Sequence, residues 1–451
     1  MSAARTLLVA ALAAALAAPA SAAPPARARV APRIAKLPFD ADGAPTVLVG
    51  AKVHVGDGTV VDDATIELRG TRIVRITAGT DSIPSGAKRI DLAGKIVTPG
   101  LVAADTSLGL VEIDLESSTR DDSRGSTDLV RAGYDAASAL HADSVLLQVQ
   151  AIDGVTSAAV TPQGGLVSGR VAWIDLVAGD HRRLVAADGV GMRAALGQVV
   201  DGSRAATLQR MREVFDDARF YRTRKGAYDR RQSRDLAAHR LDLDALAPVL
   251  DRRIPLVVAA HRASDLLALV RLKEEQRIDV VAIGGTQAWQ VAEELARAKI
   301  PVVVQPSQNL PGSYDTLGAR LDNAALLAAA GVQVGIAVLG EAHNVRNVTQ
   351  EAGIAIAHGL PREAALSAIT LNLARAYGMD AHYGSVAPGK VANLVVWDGD
   401  PFELSQRPSA VWIRGVPIAM RSRQTELRDR YLDLRPFTER AKARDAGAGK
   451  P

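Results

Sequence analysis

From residue 96 onward the chain alternates apolar runs of strand length with longer segments of helical periodicity, and no other feature limits the fold as strongly. The apolar runs are residues 154–161, 255–260, 279–284, 301–305 and 333–338. Continuous apolar strands are typical of parallel sheets that helices cover on both faces. Segments of helical period lie between them, at residues 265–277, 286–299 and 323–330. Because this unit repeats through residues 99–382, the pattern predicts an α/β fold of the (β/α)8 barrel type, which takes about 250 residues.

Short strands with alternating apolar and polar residues flank the barrel region on both sides. They lie in residues 46–98 and again in residues 383–430, for example at Thr46–Gly50 and Ala410–Arg414. This alternation is typical of half-buried antiparallel strands. The two segments are therefore predicted to be halves of one small composite β-sandwich domain beside the barrel.

Two parts of this architecture leave an alternative open. A doubly wound open sheet is the second candidate fold, although no glycine-rich dinucleotide fingerprint follows any strand. Residues 177–250 have the least regular pattern and are interpreted as an insertion. Within it, Thr207–Arg231 is strongly charged and carries four apolar residues on one helical face. This helix is either a solvated amphipathic helix or a lid or subunit contact.

The first residues have the features of an export signal. Arg5 precedes the apolar run Leu7–Ala18, which is too short to cross a bilayer of roughly 30 Å as a helix. Small residues up to Ala22 then suit a cleavage site, so residues 1–22 are predicted to be a signal peptide and residues 23–45 a linker. An uncleaved anchor is the alternative. The mature protein is expected to be periplasmic or secreted, without a membrane partner after cleavage, and residues 431–451 form a charged tail.

Composition excludes several classes of site and partner. The chain has no cysteine, which excludes disulfides, zinc–thiolate sites and thiol nucleophiles. Its formal net charge is only +4, and no basic stripe is interleaved with aromatic residues, so nucleic acid is not an expected partner. The expected partner is a small-molecule substrate or ligand.

Three motifs in order carry a family resemblance. They are Gly94–Gly109 (GKIVTPGLVAADTSLG), Ala368–Gly378 (AITLNLARAYG) and Gly384–Pro401 (GSVAPGKVANLVVWDGDP). Together they resemble the amidohydrolase superfamily, in its imidazolonepropionase-like branch, over about residues 46 to 430. The resemblance implies a TIM barrel with a composite β domain. It also implies hydrolysis of non-peptide or peptide-like carbon–nitrogen bonds in small molecules, with a divalent metal, usually zinc, as cofactor. Relatives often form oligomers, so a homo-oligomer or pairing with an active homologue stays open.

The same resemblance implies a ligand set at the carboxyl ends of the barrel strands. It comprises His-x-His on the first strand, His on the fifth and sixth, and Asp on the eighth, with an acidic residue or carbamylated lysine on the fourth. In this chain Asp105 and Ser107 stand in place of the two histidines of the first strand. Ala259 stands in place of the first histidine of the fifth-strand motif. The sixth-strand position falls at residues 284–285, which are both glycine. Zinc is therefore expected for the family, but its ligand set is mostly missing, and no residue is assigned as a metal ligand.

The remaining polar residues give a predicted site. Asp105, His261 and Arg262 are the catalytic candidates, because they follow the first and fifth strands, where barrel enzymes place their active sites. Asp105 would activate water or hold a displaced metal, and His261 and Arg262 would orient a carbonyl or carboxylate. The secondary candidates are Glu341, His343 and Ser107.

Structural roles are the alternative for each of these side chains: a cap or loop carboxylate for Asp105, a backbone-bonded histidine for His261, and exposed polar groups for Glu341 and His343. Two functions follow. The first is an amidohydrolase-family hydrolase, and the second is a catalytically inactive homologue acting as a binding or helper subunit.

Overall fold

The computed structural model describes residues 43–79, 83–123, 128–432 and 438–439. The predicted signal peptide, nearly all of the linker 23–45 and most of the tail 431–451 lie outside the described residues. None of the described helices is both long enough and apolar enough to cross a membrane.

An eight-stranded curled sheet stands at the centre of the fold. Its strands are β6 (Leu101–Thr106), β7 (Val155–Val160), β8 (Val167–Asp175), β9 (Val185–Ala195), β10 (Leu256–Ala260), β11 (Val280–Gly284), β12 (Val302–Val304) and β13 (Val334–Ile336). They are hydrogen-bonded in sequence order, from β6 at one side to β13 at the other. Apolar side chains are buried on both faces of the sheet, as the continuous apolar runs predict. The result is an α/β fold consistent with a TIM-like barrel.

Two features of this sheet differ from the prediction. β8 runs antiparallel to both of its neighbours, because the connections 161–166 and 176–184 are too short for the crossover of a dozen or more residues that parallel strands need. The predicted insertion 177–250 is also wrong in part, since it contains β9. β9 pairs in parallel with β10 and is the fourth strand of the sheet.

Helices connect the strands and pack around the sheet. The α-helices are α1 (Val145–Ala151), α2 (Arg204–Asp229), α3 (Arg240–Ala245), α4 (Ala247–Leu250), α5 (Ala263–Gln276), α6 (Ala292–Arg297), α7 (Asn323–Ala329), α8 (Val348–Ala357), α9 (Arg362–Ala368), α10 (Leu371–Ala376) and α11 (Arg423–Leu432). Short 3-10 helices are found at Ser117–Thr119, Ala136–Ser138, Ala288–Val291, Tyr314–Thr316 and Val345–Asn347.

Helix α2 is the charged helix of the sequence analysis. Its apolar face, formed by Val214, Phe215, Ala218 and Tyr221, is buried in the main core. Ser203 caps the N-terminus of the helix, since its hydroxyl accepts a hydrogen bond from the amide of Ala206 at 3.3 Å. This buried apolar face favours an amphipathic helix packed into the main core over a detached lid.

The cap of α2 gives a first prediction. Ser203→Ala removes the acceptor for one of the unpaired amides of the first turn, and we expect it to lower the free energy of unfolding by about 1 kcal/mol. Ser203→Asp keeps an acceptor at that position and serves as the matched control. Urea unfolding followed by circular dichroism measures both variants. An aspartate variant as unstable as the alanine variant would contradict the capping role.

The second sheet joins the two ends of the chain. Its strands are β1 (Thr46–His54), β2 (Val60–Arg69), β3 (Arg72–Ala78), β4 (Lys88–Asp91), β5 (Ile96–Pro99), β14 (Leu394–Trp397), β15 (Pro408–Ile413) and β16 (Val416–Pro417). β14 pairs antiparallel with β5, so the early and late segments share one sheet around one apolar core. All eight strands belong to this single sheet, and a sandwich of two facing sheets is not confirmed.

A buried polar network ties the two sheets together. The carboxylate of Asp175, at the end of β8, accepts hydrogen bonds from Arg414 Nε at 2.5 Å, Tyr383 Oη at 3.0 Å and Asn393 Nδ2 at 3.0 Å. Ser157 on β7 donates to the same carboxylate at 2.8 Å. The side chains of Asp175 and Arg414 are 0% and 2% exposed. A charge pair this deeply buried needs such a full set of partners.

Candidate functional site

Asp105 occupies a strained position near the end of β6. The pairing of β6 with β7 shifts register between Ala104 and Thr106, so Asp105 is the extra residue of a β-bulge. Its φ is +50°, a left-handed conformation that aspartate tolerates better than most residues. Its carbonyl accepts a hydrogen bond from the amide of Gly340, beyond β13, at 2.7 Å. The bulge therefore turns the Asp105 side chain and links the two ends of the curled sheet.

The Asp105 carboxylate is bound by an arginine from β9. Arg193 Nε lies 2.6 Å from Asp105 Oδ1, and Arg193 Nη2 lies 3.2 Å from Asp105 Oδ2. The two side chains are only 8% and 5% exposed. This is the two-point fork that a guanidinium forms with a carboxylate. Thr161, which is fully buried, donates a further hydrogen bond to Oδ1 at 3.2 Å.

A buried tyrosine lies beside this pair. Tyr377 is 1% exposed and its ring packs against Trp173, with centroids 6.3 Å apart. Burial raises the pKa of Tyr377, and the negative charge of Asp105 raises it further. The phenol is therefore neutral at any physiological pH, and Arg193 carries the positive charge next to Asp105.

His261 follows β10 at the same end of the sheet. Its Nδ1 lies 2.8 Å from the hydroxyl of Thr286, a hydrogen bond that orients the ring. Burial lowers the pKa of His261, and Arg193 lowers it too, although the carboxylates of Asp315, Asp265 and Asp105 act in the opposite direction. The imidazole is therefore neutral at pH 7 and able to accept a proton.

Gly284, the last residue of β11, makes room for this histidine. A β-carbon at Gly284 would lie 2.5 Å from His261 Cε1, and its φ of +92° is unfavourable for other residues. The sixth-strand position of the family ligand set therefore cannot hold a second histidine while His261 keeps this orientation.

Arg262 forms no hydrogen bond with Asp105 or His261, the other two catalytic candidates. Its guanidinium lies 5.3 Å from the centre of the Tyr314 ring, in a loop after β12. The neighbouring Asp315 forms an ion pair with Arg204, which also lies 3.2 Å from Asp265. These contacts hold the loop against the carboxyl ends of the strands beside His261.

The secondary candidates have local partners of their own. Ser107 is 4% exposed and its carbonyl accepts from the amide of Leu110 at 2.8 Å. Glu341 is exposed and its carboxylate accepts from Asn344 at 2.8 Å. His343 Nε2 lies 3.1 Å from the carbonyl oxygen of Glu112. These contacts are those of loop residues, and each of the three assignments stays a prediction.

The donor set does not fit the metal that the resemblance implies. A catalytic zinc ion takes three protein ligands and a water. Among the described residues, no group of three or more His, Cys, Asp or Glu side chains is arranged to hold a metal ion. The buried carboxylate of Asp105 is already bound by Arg193 and Thr161. Asp105 is accordingly poorly placed for either of the roles predicted for it, since both need a free carboxylate oxygen.

Sequence reasoning missed Arg193, Thr161 and Tyr377. Arg193 lies in the segment that was interpreted as an insertion, yet it is a lone charge in the otherwise apolar run Val190–Leu196. A single arginine inside an apolar strand needs a buried partner, and this signal could have pointed to Asp105.

A curled, mostly parallel sheet with polar side chains at the carboxyl ends of its strands defines a barrel-type enzyme scaffold. Residues 273–425 match the model of the Amidohydrolase family. An amidohydrolase from Thermotoga maritima MSB8 has a similar structure, with a TM-score of 0.74 and 25% identity over 83% of this chain and 100% of that one. These matches confirm the resemblance to the amidohydrolase superfamily, while the residues at the metal-ligand positions of that family are changed in this chain.

Two curated relatives match over short segments. Amidohydrolase tasK of Hapsidospora irregularis is 39% identical over 72 residues, which are 16% of this chain and 7% of that protein. Imidazolonepropionase of Klebsiella pneumoniae is 43% identical over 61 residues, which are 13% of this chain and 15% of that protein. The matched segments thus span well under two thirds of either relative.

Proposed function

We propose that this protein hydrolyses carbon–nitrogen bonds of small or peptide-like molecules at the carboxyl ends of the barrel strands, without a metal held by the family ligand positions. The observation that carries the proposal is His261, a neutral imidazole oriented by Thr286 at the end of β10 in an amidohydrolase-superfamily scaffold. Cyclic amides, amidated compounds and short peptides are the substrate classes in view. Export to the periplasm or beyond is part of this proposal and rests on the first 22 residues of the sequence.

Hydrolysis requires one group that acts first as a general base and then as a general acid. With Nδ1 protonated and donating to Thr286, the Nε2 atom of His261 carries the lone pair that takes a proton from water. The water oxygen attacks the carbonyl carbon, and His261 then returns the proton to the leaving nitrogen as the C–N bond breaks. The products are a carboxylic acid and an amine. Arg262, two positions beyond β10, is the cation available to attract a substrate carboxylate.

Turnover should depend on the protonation of His261. On a panel of amides, lactams and dipeptides assayed with EDTA present, we expect His261→Gln to lower kcat about 10²–10⁴-fold. Because burial lowers the pKa of His261, kcat/KM should be constant at neutral pH and fall only below about pH 6.5, the ordinary histidine value. The pH–rate profile of the wild type measures this.

His382→Gln is the matched control. Burial also lowers the pKa of His382, but this histidine lies near Arg72 in the β domain, with Nδ1 3.4 Å from Arg72 Nη1. It should keep the wild-type rate and profile. Activity that EDTA abolishes, or an undiminished His261→Gln variant, would overturn the proposal.

The buried Asp105–Arg193 pair favours a second candidate, a non-catalytic homologue that binds a small ligand or assists an active relative. A carboxylate neutralised in this way offers no water activation. In that case the wild type would show no turnover on the whole panel, while calorimetry would still detect binding of at least one panel compound. Detectable turnover that is lost in His261→Gln would dismiss this candidate.

A further inference from the structure

The disagreement between the family's metal set and these residues leads to a further conclusion. We infer that the guanidinium of Arg193 permanently takes the place of the metal cation, so that the site is complete and stable with no divalent ion. This inference deepens the proposed function and rests on the same site. In the family pattern the fourth strand contributes an anionic bridging ligand, whereas here the fourth strand, β9, contributes a cation.

The hydrogen bonds of Arg193 are all directed into the protein. Nε and Nη2 bind the two oxygens of Asp105, and Nη1 donates to the carbonyl of Ala194. Each of the three guanidinium nitrogens therefore already donates a hydrogen bond within the protein, which is unlike an arginine that waits for a substrate anion. Both oxygens of Asp105 are occupied as well, and Oδ1 also accepts from Thr161. A metal at Oδ1 would have to displace Arg193 or Thr161, and a metal at Oδ2 would lie beside the positively charged guanidinium of Arg193.

The charge balance of the site also disfavours a bound divalent ion. The other polar groups near the pair, Tyr377 and His261, are neutral at pH 7 for the reasons given above. Arg193 and Asp105 thus balance each other in a site with little solvent exposure. A divalent ion beside the guanidinium would meet strong repulsion, because charges interact several-fold more strongly there than in bulk water.

Metal content and thermal stability test this inference without any activity assay. Wild type, Arg193→Met, Asp105→Asn and the double variant Asp105→Asn/Arg193→Met are purified and analysed for bound metal by mass spectrometry. Their melting temperatures are measured with EDTA and with added ZnCl2. We expect wild type to hold far less than one ion per chain and to melt at the same temperature in both conditions.

The single variant Arg193→Met should melt lower by roughly 5–10 °C, because it leaves a buried carboxylate without its counter-charge. The double variant removes both charges and should recover most of that loss. If Arg193→Met does not fold, Arg193→Lys keeps the charge without the fork, and this variant should fold but melt at a lower temperature than wild type. One tightly bound divalent ion per wild-type chain, with a lower melting temperature in EDTA, would overturn the inference. So would an Arg193→Met variant as stable as wild type.

Failure here is distinguishable from failure of the proposed function. A metal-free and stable protein that turns over no panel compound supports the role of Arg193 and rejects hydrolysis. A protein that holds zinc and turns over substrate rejects the role of Arg193 and the metal-free chemistry together.

Discussion

Arg414→Met is expected to lower the free energy of unfolding by about 3–5 kcal/mol, the range found when one partner of a buried ion pair is removed. Arg414 is 1% exposed, and its Nε lies 2.5 Å from Asp175 Oδ2. Methionine fills a similar apolar volume but leaves the Asp175 carboxylate without its counter-charge. Tyr383, Asn393 and Ser157 still donate to that carboxylate, so the loss should come from the charge rather than from every hydrogen bond.

Chemical denaturation followed by tryptophan fluorescence measures this loss. Arg428→Met is the matched control, because Arg428 pairs with Asp429 on the exposed helix α11 and both side chains are at least 60% exposed. The control should change stability by less than about 0.5 kcal/mol. If the two variants are equally stable, the network between the sheets contributes nothing and its assignment is wrong.

Gly284→Ala should lower the free energy of unfolding by about 2–5 kcal/mol. About 1–2 kcal/mol comes from placing a β-carbon in the left-handed region at φ +92°. A further 1–3 kcal/mol comes from the clash with His261 Cε1 at 2.5 Å, since Thr286 holds that ring in place.

Gly331→Ala separates the two contributions. Gly331 has a similar φ of +84°, but a β-carbon there would meet nothing within 4 Å. It should therefore lose only the conformational part. In the double variant Gly284→Ala/His261→Ala the clash is absent. After the effect of His261→Ala alone is subtracted, its loss of folding stability should be close to that of Gly331→Ala. Equal stability of Gly284→Ala and Gly331→Ala would show that His261 does not pack on Gly284.

Much of the central sheet could be predicted, because a strand that is buried on both faces has a continuous run of apolar residues. The runs 255–260, 279–284, 301–305 and 333–338 coincide with β10 to β13, which are buried on both faces. β9 escaped this reasoning because Gly189 and Gly191 interrupt its apolar pattern. Gly191 is required there, since a β-carbon would come within 2.9 Å of Val257 Cγ2 on the neighbouring strand. The requirement for glycine at this position comes from a tertiary contact, so no local sequence pattern indicates it.

The candidate site could be predicted only in its strand-end positions. Asp105 and His261 were found because they follow apolar strands, which is where barrel enzymes carry polar groups. The partner of Asp105 is 88 residues away in sequence and could not be deduced from spacing. The left-handed bulge at Asp105 also depends on the contact with Gly340, which forms only when the curled sheet brings its two ends together. Family motifs therefore indicated the scaffold well and the chemistry poorly.

The pairing of β5 with β14 has a consequence for how the protein is made. Trp397 on β14 donates to Thr98 on β5, its neighbour in the sheet but 299 residues away along the chain. During synthesis, one edge of β5 stays unpaired until β14 has been made, which is when almost the whole chain has left the ribosome. Contacts between residues this far apart in sequence also form slowly. A product that stops before residue 394 keeps that edge exposed permanently, which is a template for pairing with other chains. Prematurely terminated copies should therefore aggregate, even when every central strand is present.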